Sequence, residues 1–236
     1  KAFQKAHNLT RDGLFGKASL EALEAELNQS GAVHFDSNCE NSSDIGAYGC
    51  YDKADDSLDA RKYKVSTAMR ITNYTDAAEY IYAYLGEGSP LRVEEFMQEL
   101  EKIAASKDDY DKKDCAGYIY AARNNQGATG ATSEFTGQVK FFGSIKDLGG
   151  YDKLIPGMEL FQGFRKTPTS NQFYSSHIGV YAGKQTIQGT LMPAVYQSSP
   201  GYTSTVRKYG KANGPDLTKL GDSWNYWGWS KFIRLR

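Results

Sequence analysis

The chain reads Asp-Cys-Ala-Gly-Tyr at residues 114–118 and Ser-His-Ile-Gly-Val-Tyr at residues 176–181. The first stretch opens a predicted helix, so the Cys115 thiol stands at a helix N-terminus, where the positive end of the helix dipole lowers a thiol pKa. The second stretch opens a predicted strand that carries His177. A cysteine on a helix and a histidine on a later strand predict a nucleophile and its base, which the fold has to bring together.

Side chains alternate along the predicted strand, so His177 and Gly179 share one face. Ile178 and Val180 share the other face, which their apolar side chains place in the core. A glycine beside the histidine leaves room for the Cys115 helix to approach, which is a physical reason for a small residue there. A lone histidine on a strand is usually structural, but the helix that begins at Cys115 favours catalysis for His177.

Helices are predicted in the first half of the chain and strands in the second. Residues 57–85 have helical periodicity with Thr75 as a candidate N-cap, and a second helix is predicted to start at Ser89-Pro90. After the Cys115 helix the pattern changes to strands, with Gly and Pro between them. The predicted strands are 138–142, 158–164, 177–183, 194–198, 205–209 and 229–235. Helices followed by a mostly antiparallel sheet predict an α+β fold.

The two motifs resemble those of the NlpC-type cell-wall cysteine peptidases. That family carries its nucleophile in Asp-Cys-Ser-Gly and its base in His-x-Gly-x-Tyr, which residues 114–117 and 177–181 follow. The resemblance covers residues 88–236 and includes a Leu-x-Pro-Gly-x-x-Leu-Phe segment at residues 154–161. It implies a papain-like catalytic domain and a cysteine endopeptidase that hydrolyses peptidoglycan stem peptides after a γ-D-glutamyl residue.

Papain-like sites orient the catalytic imidazole with a third polar residue, which hydrogen-bonds the second ring nitrogen. In the resembled family this residue lies on the next strand, and here Gln197 stands in the predicted strand 194–198. An amide oxygen can accept that hydrogen bond. Gln188, which is nearer to His177 in sequence, is the alternative.

The resemblance also implies substrate contacts around the nucleophile and the base. Tyr110 stands where the family often has a substrate-binding tyrosine, and the further candidates are Asp114, Ala116 and Ser176. Ala116 replaces a serine that is common in the family, and the Gly and Trp residues usual around the tyrosine are absent. These departures keep open an inactive wall-binding or interaction protein. The same thiol chemistry would also serve an amidase or acyltransferase.

The N-terminal part of the chain has a different pattern. Residues 1–31 resemble part of a helical peptidoglycan-binding module, and a generic helix-turn-helix scaffold is the alternative. Residues 32–87 are predicted to be a loop and helical linking region that precedes the peptidase domain at 88–236. The positions that match the module are Phe3, Gln4, Leu9, Asp12, Gly13 and Gly16.

The chain has 3 cysteines, so one is left over after any single bridge. Cys39 and Cys50 are close enough in sequence to close a small disulfide loop, and unpaired thiols are the alternative. A metal site at these two cysteines with His34 is disfavoured because no paired C-x-x-C occurs. The aspartates of the charge run at residues 107–114 lack the Gly and Glu of an EF-hand loop. We therefore predict no metal and no cofactor.

The composition narrows the class of partner. Lys and Arg number 28 and Asp and Glu number 28, so no basic field favours nucleic acid or anionic lipid. No apolar run approaches the length of about 18 residues that a membrane-spanning helix needs, and the chain starts at Lys1 without a leader-like segment. We expect a mature or trimmed soluble protein, secreted or associated with the cell wall, with peptidoglycan as its partner. No sequence feature predicts an oligomeric state.

Aromatic residues crowd the end of the chain, at Trp224, Tyr226, Trp227 and Trp229. Flat rings suit the faces of sugars, but core packing beside the last strand is the interpretation that we favour. Within this cluster Trp224 is the residue that we expect to be exposed.

Overall fold

The computed structural model describes residues 68–165, 173–203 and 205–236. The predicted module at residues 1–31 lies outside the described residues, as do His34, Cys39 and Cys50 and the part of the linking region before residue 68.

Five α-helices and one 3-10 turn lie in the described residues. Asn73 is the N-cap of the first helix instead of the predicted Thr75, because its Oδ1 accepts the backbone N–H of Asp76 at 2.8 Å. Among these helices, none is long and apolar enough to cross a membrane. The helices are α1 Tyr74–Ala83, α2 Val93–Ala105, α3 Cys115–Ala122, α4 Ala131–Gly137 and α5 Ile145–Leu148, and the 3-10 turn is Tyr151–Lys153.

The second helix begins later than the sequence predicts. α2 starts at Val93 and not at Ser89-Pro90, because Leu91 and Arg92 form a short strand before it. The Glu95 carboxylate accepts the backbone N–H of Arg92 at 2.9 Å and satisfies one donor at the helix start. One face of this helix is apolar and packs into the core, where its buried members are Val93, Phe96, Met97, Leu100 and Ala104.

Nine strands lie in the described residues: β1 Met69–Arg70, β2 Leu91–Arg92, β3 Val139–Ser144, β4 Glu159–Arg165, β5 Phe173–Ile187, β6 Thr190–Ser199, β7 Gly214–Lys219, β8 Tyr226–Ser230 and β9 Ile233–Arg234. Seven of them form one sheet, in the order β1-β3-β8-β4-β5-β6-β7. The pairing of β1 with β3 is parallel and the other pairings in this sheet are antiparallel. β2 and β9 form a separate parallel pair. The fold is therefore α+β with a large, mostly antiparallel sheet.

The strand predictions fail near the end of the chain. The predicted strand 205–209 is wrong, since the segment contributes only an isolated bridge between Arg207 and Thr218. The strand that pairs with β6 is instead β7, which the sequence analysis missed because Gly214-Pro215 has the composition of a turn. The predicted strand 229–235 is two strands, β8 and β9, with a turn between them.

The aromatic cluster belongs to the core. Tyr226, Trp227 and Trp229 are buried, so the predicted packing role is confirmed. The expectation for Trp224 is wrong, because only 2% of its surface is exposed. Its backbone carbonyl accepts a hydrogen bond from the Tyr151 hydroxyl, which fixes the loop that carries the indole.

A buried ion cluster fixes the C-terminal end of α3. Arg123 follows the helix and is fully buried, and its guanidinium donates to both carboxylate oxygens of Glu134 at 2.5 and 2.7 Å. It also donates to Glu159 on β4 at 2.8 Å and to Ser230 on β8 at 2.7 Å. Burial raises the pKa of Glu159 to about 8, with the charge of Glu134 adding to the rise and Arg123 opposing it. The helix is thereby tied to α4 and to two strands of the sheet.

Candidate active site

The start of α3 is set by Asp114. Its Oδ1 accepts the backbone N–H of Gly117 at 2.6 Å, and its carbonyl accepts the N–H of Tyr118 at 2.9 Å. This N-cap places Cys115 at the first position of the helix, as the sequence predicts. The thiol is largely enclosed, since Cys115 is 8% exposed.

The surroundings of the Cys115 sulfur raise the pKa of the thiol. Burial is the main cause, and the charge of Asp114 adds to it. Hydrogen bonds from the backbone N–H groups of Ile178, Ala116 and Cys115 itself act in the opposite direction and do not overcome the burial. The expectation that the helix terminus lowers this pKa is therefore wrong in its net direction, because removal of water from the thiolate outweighs the effect of the backbone N–H groups around it.

His177 lies on β5, next to the backbone group that contacts the sulfur. Ile178, whose backbone N–H is near enough to the Cys115 sulfur to lower its pKa, is the residue after His177, so the sulfur lies near the strand beside the histidine. The His177 ring is partly buried, with Nε2 at 2.7 Å from Oε1 of Gln197. Burial lowers the pKa of His177, and the hydrogen bond with Gln197 partly offsets this by raising it. A neutral imidazole beside a neutral thiol is the state that these shifts favour.

The partner of His177 in the structure is Gln197 on β6, and not Gln188. Gln188 sits exposed in the turn between β5 and β6 with a positive φ of 50°, and its amide donates to the carbonyl of Arg207 at 3.2 Å. The amide nitrogen of Gln197 donates to Oγ1 of Thr218 on β7 at 2.6 Å. Gln197 therefore bridges the histidine to the next strand of the sheet.

Tyr110 lies at the sulfur. Burial raises the pKa of its hydroxyl, followed by the charges of Cys115 and Asp114 and a hydrogen bond with Cys115. The loop that carries Tyr110 is anchored to the sheet, since the Ser198 hydroxyl donates to the carbonyl of Lys113. The tyrosine hydroxyl is thus held beside the candidate nucleophile.

The other predicted substrate contacts have different surroundings. Asp114 is exposed, but its carboxylate is engaged as the helix cap. The side chain of Ala116 is buried, so its backbone N–H is the group directed at the sulfur of Cys115. Ser176 is exposed and is the extra residue of a β-bulge between β4 and β5, immediately before His177. A bulge re-aims the neighbouring side chains, and such irregularities occur next to active sites.

Sequence reasoning did not find two residues that contact the candidate site. One is Thr218, which lies on the strand that was not predicted. The other is Trp224, whose indole stacks on the His177 ring. A side chain at Gly179 would come 2.8 Å from Val195 and 3.0 Å from both Trp224 and the carbonyl oxygen of Tyr196, so these three nearest neighbours require a small residue. The aromatic cluster was the signal that could have placed Trp224 near the site.

Within the described ranges, no group of three or more His, Cys, Asp or Glu side chains is arranged to hold a metal ion. The candidate site consists of the Cys115 thiol and the His177 imidazole, with the Trp224 indole stacked on the imidazole. The Gln197 amide hydrogen-bonds the imidazole and in turn donates to the Thr218 hydroxyl. This arrangement has the groups that nucleophilic attack and proton transfer require.

The chain matches no protein-family model, no curated protein and no solved structure.

Proposed function

We propose that the protein is an NlpC-type cysteine endopeptidase with a papain-like fold, and that it hydrolyses peptidoglycan stem peptides. One observation carries the proposal: the Cys115 sulfur lies near the backbone N–H of Ile178, the residue after His177, and Nε2 of His177 lies 2.7 Å from the Gln197 amide oxygen. A nucleophile, a base and a residue that orients the base are the parts that such a hydrolase needs. The mostly antiparallel sheet with α3 against it is compatible with the proposed papain-like arrangement.

In the proposed first step, His177 takes the thiol proton while the sulfur attacks an amide carbonyl. Proton transfer during attack suits this site, because the pKa of Cys115 is raised and the pKa of His177 is lowered. Oε1 of Gln197 can only accept a hydrogen bond, so Nε2 of His177 carries the ring proton. The base is then Nδ1.

The tetrahedral intermediate collapses when the C–N bond breaks and the imidazolium of His177 gives its proton to the leaving amine. A thioester on Cys115 remains. His177 then takes a proton from a water molecule that attacks the thioester, and the thiol leaves as the acid product forms. The proton count closes, since the histidine ends neutral and the thiol ends protonated.

The first N–H groups of α3 are the proposed donors to the oxyanion. The backbone N–H groups of Cys115 and Ala116 face the sulfur and lie at the start of a helix, where backbone donors lack partners within the helix. Such preorganised donors stabilise the charge that develops on the carbonyl oxygen. The Tyr110 hydroxyl, beside the sulfur, is the proposed contact for the bound peptide.

The substrate class is proposed from the resemblance of the motifs at residues 114–117 and 177–181. On that basis the bond cleaved follows a γ-D-glutamyl residue, and the protein acts outside the cell or in the wall. A balanced charge of 28 basic and 28 acidic residues suits a polymer that is recognised by shape and hydrogen bonds.

The test is release of muropeptides from purified peptidoglycan of several stem chemistries, with the products identified by mass spectrometry. The full chain is compared with Cys115→Ser, which keeps the size of the side chain, and with Gln188→Leu as a surface control. We expect new peptide ends with the full chain and the control, and none with Cys115→Ser. If the intact chain is inert but sediments with the wall, the hydrolase proposal fails in favour of a wall-binding protein.

The same experiment separates hydrolysis from acyl transfer. An added amine such as glycinamide competes with water for the proposed thioester on Cys115. Free carboxyl ends in the presence of the amine support a hydrolase. Products that carry the amine as the main species contradict the proposal and identify an acyltransferase.

A further inference from the structure

Thr218 lies behind the candidate site, on the far side of Gln197 from the histidine. We infer that Thr218 is a positioning residue that sets the tautomer of His177 by fixing the orientation of the Gln197 amide. The inference rests on the proposed function, in which Nδ1 of the histidine is the base. The hydrogen bonds described for the Thr218 side chain go to Gln197 and Val195, so its effect on the ring passes through Gln197.

The hydrogen bonds of Thr218 determine which end of the Gln197 amide faces it. Thr218 is fully buried on β7, and its hydroxyl donates to the carbonyl of Val195 at 3.4 Å. A carbonyl can only accept, so the single hydroxyl proton is committed to Val195 and the lone pairs remain to accept. The group at 2.6 Å from Oγ1 is therefore the donor end of the Gln197 amide, and Oε1 has to face the histidine.

The orientation of the amide selects the protonated ring nitrogen. With Oε1 at 2.7 Å, Nε2 of His177 has to be the N–H nitrogen, which leaves Nδ1 with its lone pair free. A rotated amide would present N–H groups to Nε2 and favour the proton on Nδ1. Nδ1 of the neutral ring would then carry the proton and could not act as the base. Burial favours this neutral form of the ring.

The buried carboxylate of Asp216, next to this site, is not the group that orients the Gln197 amide. Asp216 is opposite Gln197 in the β6–β7 pairing, and its oxygens accept the backbone N–H groups of Tyr209, Lys211 and Leu217. The carboxylate thus holds the loop before β7, while Thr218 is the partner of the amide.

The tautomer is measured directly by ¹⁵N NMR of histidine-labelled protein. The chain has 3 histidines, so a His7→Gln, His34→Gln background leaves the signals of His177 alone. The background protein is compared with Thr218→Val, which removes both hydrogen-bonding roles, and with Thr218→Ser, which keeps them. Thr218→Ala is measured as well, so that a folded variant without the hydroxyl is available if valine is not accommodated. Thermal unfolding identifies which variants are folded.

We expect the neutral ring to be protonated on Nε2 in the background and in Thr218→Ser. In Thr218→Val or Thr218→Ala, the proton moves to Nδ1 in a large fraction of molecules. Hydrolysis falls by about 10- to 100-fold, which is the loss typical when a group that orients a metal-bound histidine through its other ring nitrogen is removed. An Nδ1–H ring in the background, an unchanged tautomer without the hydroxyl, or failure of serine to restore the tautomer each overturns the inference. The NMR readout needs no substrate, so an inert background enzyme would refute the proposed function and leave this test intact.

Discussion

The indole of Trp224 lies almost parallel to the imidazole of His177, with ring centroids 5.3 Å apart and ring planes 24° apart. The indole is itself buried, and its backbone is held by the Tyr151 hydroxyl. Stacking on an aromatic face both restricts rotation of the imidazole and keeps water away from it. The burial that lowers the pKa of His177 thus comes in part from a residue outside the sequence motifs.

Replacement of Trp224 is expected to raise the pKa of His177. In Trp224→Leu, water reaches the ring and the desolvation that lowers the pKa is reduced, so the pKa moves up towards the ordinary 6.5. Loss of the cation–π contact acts the other way, so a net rise of the pKa means that the regained contact with water outweighs it. NMR titration of the ring measures the pKa. Trp224→Phe, which keeps an aromatic cover, is the control, and an unchanged pKa in Trp224→Leu would contradict this account.

Removing the charge of Asp114 is expected to lower the pKa of Cys115. Asp114→Asn keeps an oxygen that can cap α3 but removes the charge that raises the thiol pKa. The rate of alkylation by iodoacetamide, measured against pH, should therefore rise at a lower pH in the variant. Asp114→Ala, which also loses the cap, is expected to be less stable by about 1 kcal/mol. Superimposable alkylation profiles for the wild type and Asp114→Asn would rule out this role of the charge.

Loss of the Gln197 hydrogen bond is expected to shift the acid limb of the pH profile of kcat/KM. The proposed base is neutral His177, so kcat/KM falls as pH drops through its pKa, which already lies below 6.5. Gln197 raises that pKa, so Gln197→Leu moves the limb to still lower pH. The plateau should also fall by about tenfold or more, because the ring is no longer oriented. Gln188→Leu is the matched control, and a limb that moves upward in Gln197→Leu would be incompatible with the geometry.

The buried ion cluster is expected to make stability depend on pH. The pKa of Glu159 is about 8 in the folded protein and 4.5 as its ordinary value, so between these values the folded state holds a proton that the unfolded chain has lost. The contribution of Glu159 to stability is therefore full below about pH 4.5 and is lost as pH rises through about 8. Glu159→Gln cannot titrate and should lack this loss.

Urea midpoints at pH 5 and pH 8 measure the difference between wild type and variant. The wild type should lose more stability across this interval than Glu159→Gln, while Glu99→Gln on the surface of α2 should follow the wild type. An equal loss in all three proteins would show that the carboxyl is ionised in the folded state throughout.

Local sequence patterns were sufficient to predict the helix and the strand that carry the two motifs. The start of α3 is determined by Asp114 and Gly117 within one helical turn, and its prediction is confirmed. The His177 strand was likewise predicted, because its alternation is a property of consecutive residues. β7 was not, since Gly214-Pro215 has turn composition and becomes a strand only by pairing with β6. Thr218 could therefore not be assigned to the site.

The sequence by itself determined the candidate groups of the site and the elements on which they lie, since capping and alternation depend on near neighbours in the chain. Only the tertiary structure determined the hydrogen-bond partners of these groups and the directions of their pKa shifts. Gln197, and not Gln188, contacts His177, because the β5–β6 register places Gln197 opposite Gly179. Gln188 lies in the turn between these strands, away from the histidine. The tertiary structure also reversed the predicted pKa shift of Cys115, because desolvation depends on everything packed around the sulfur, including a strand from a distant part of the chain.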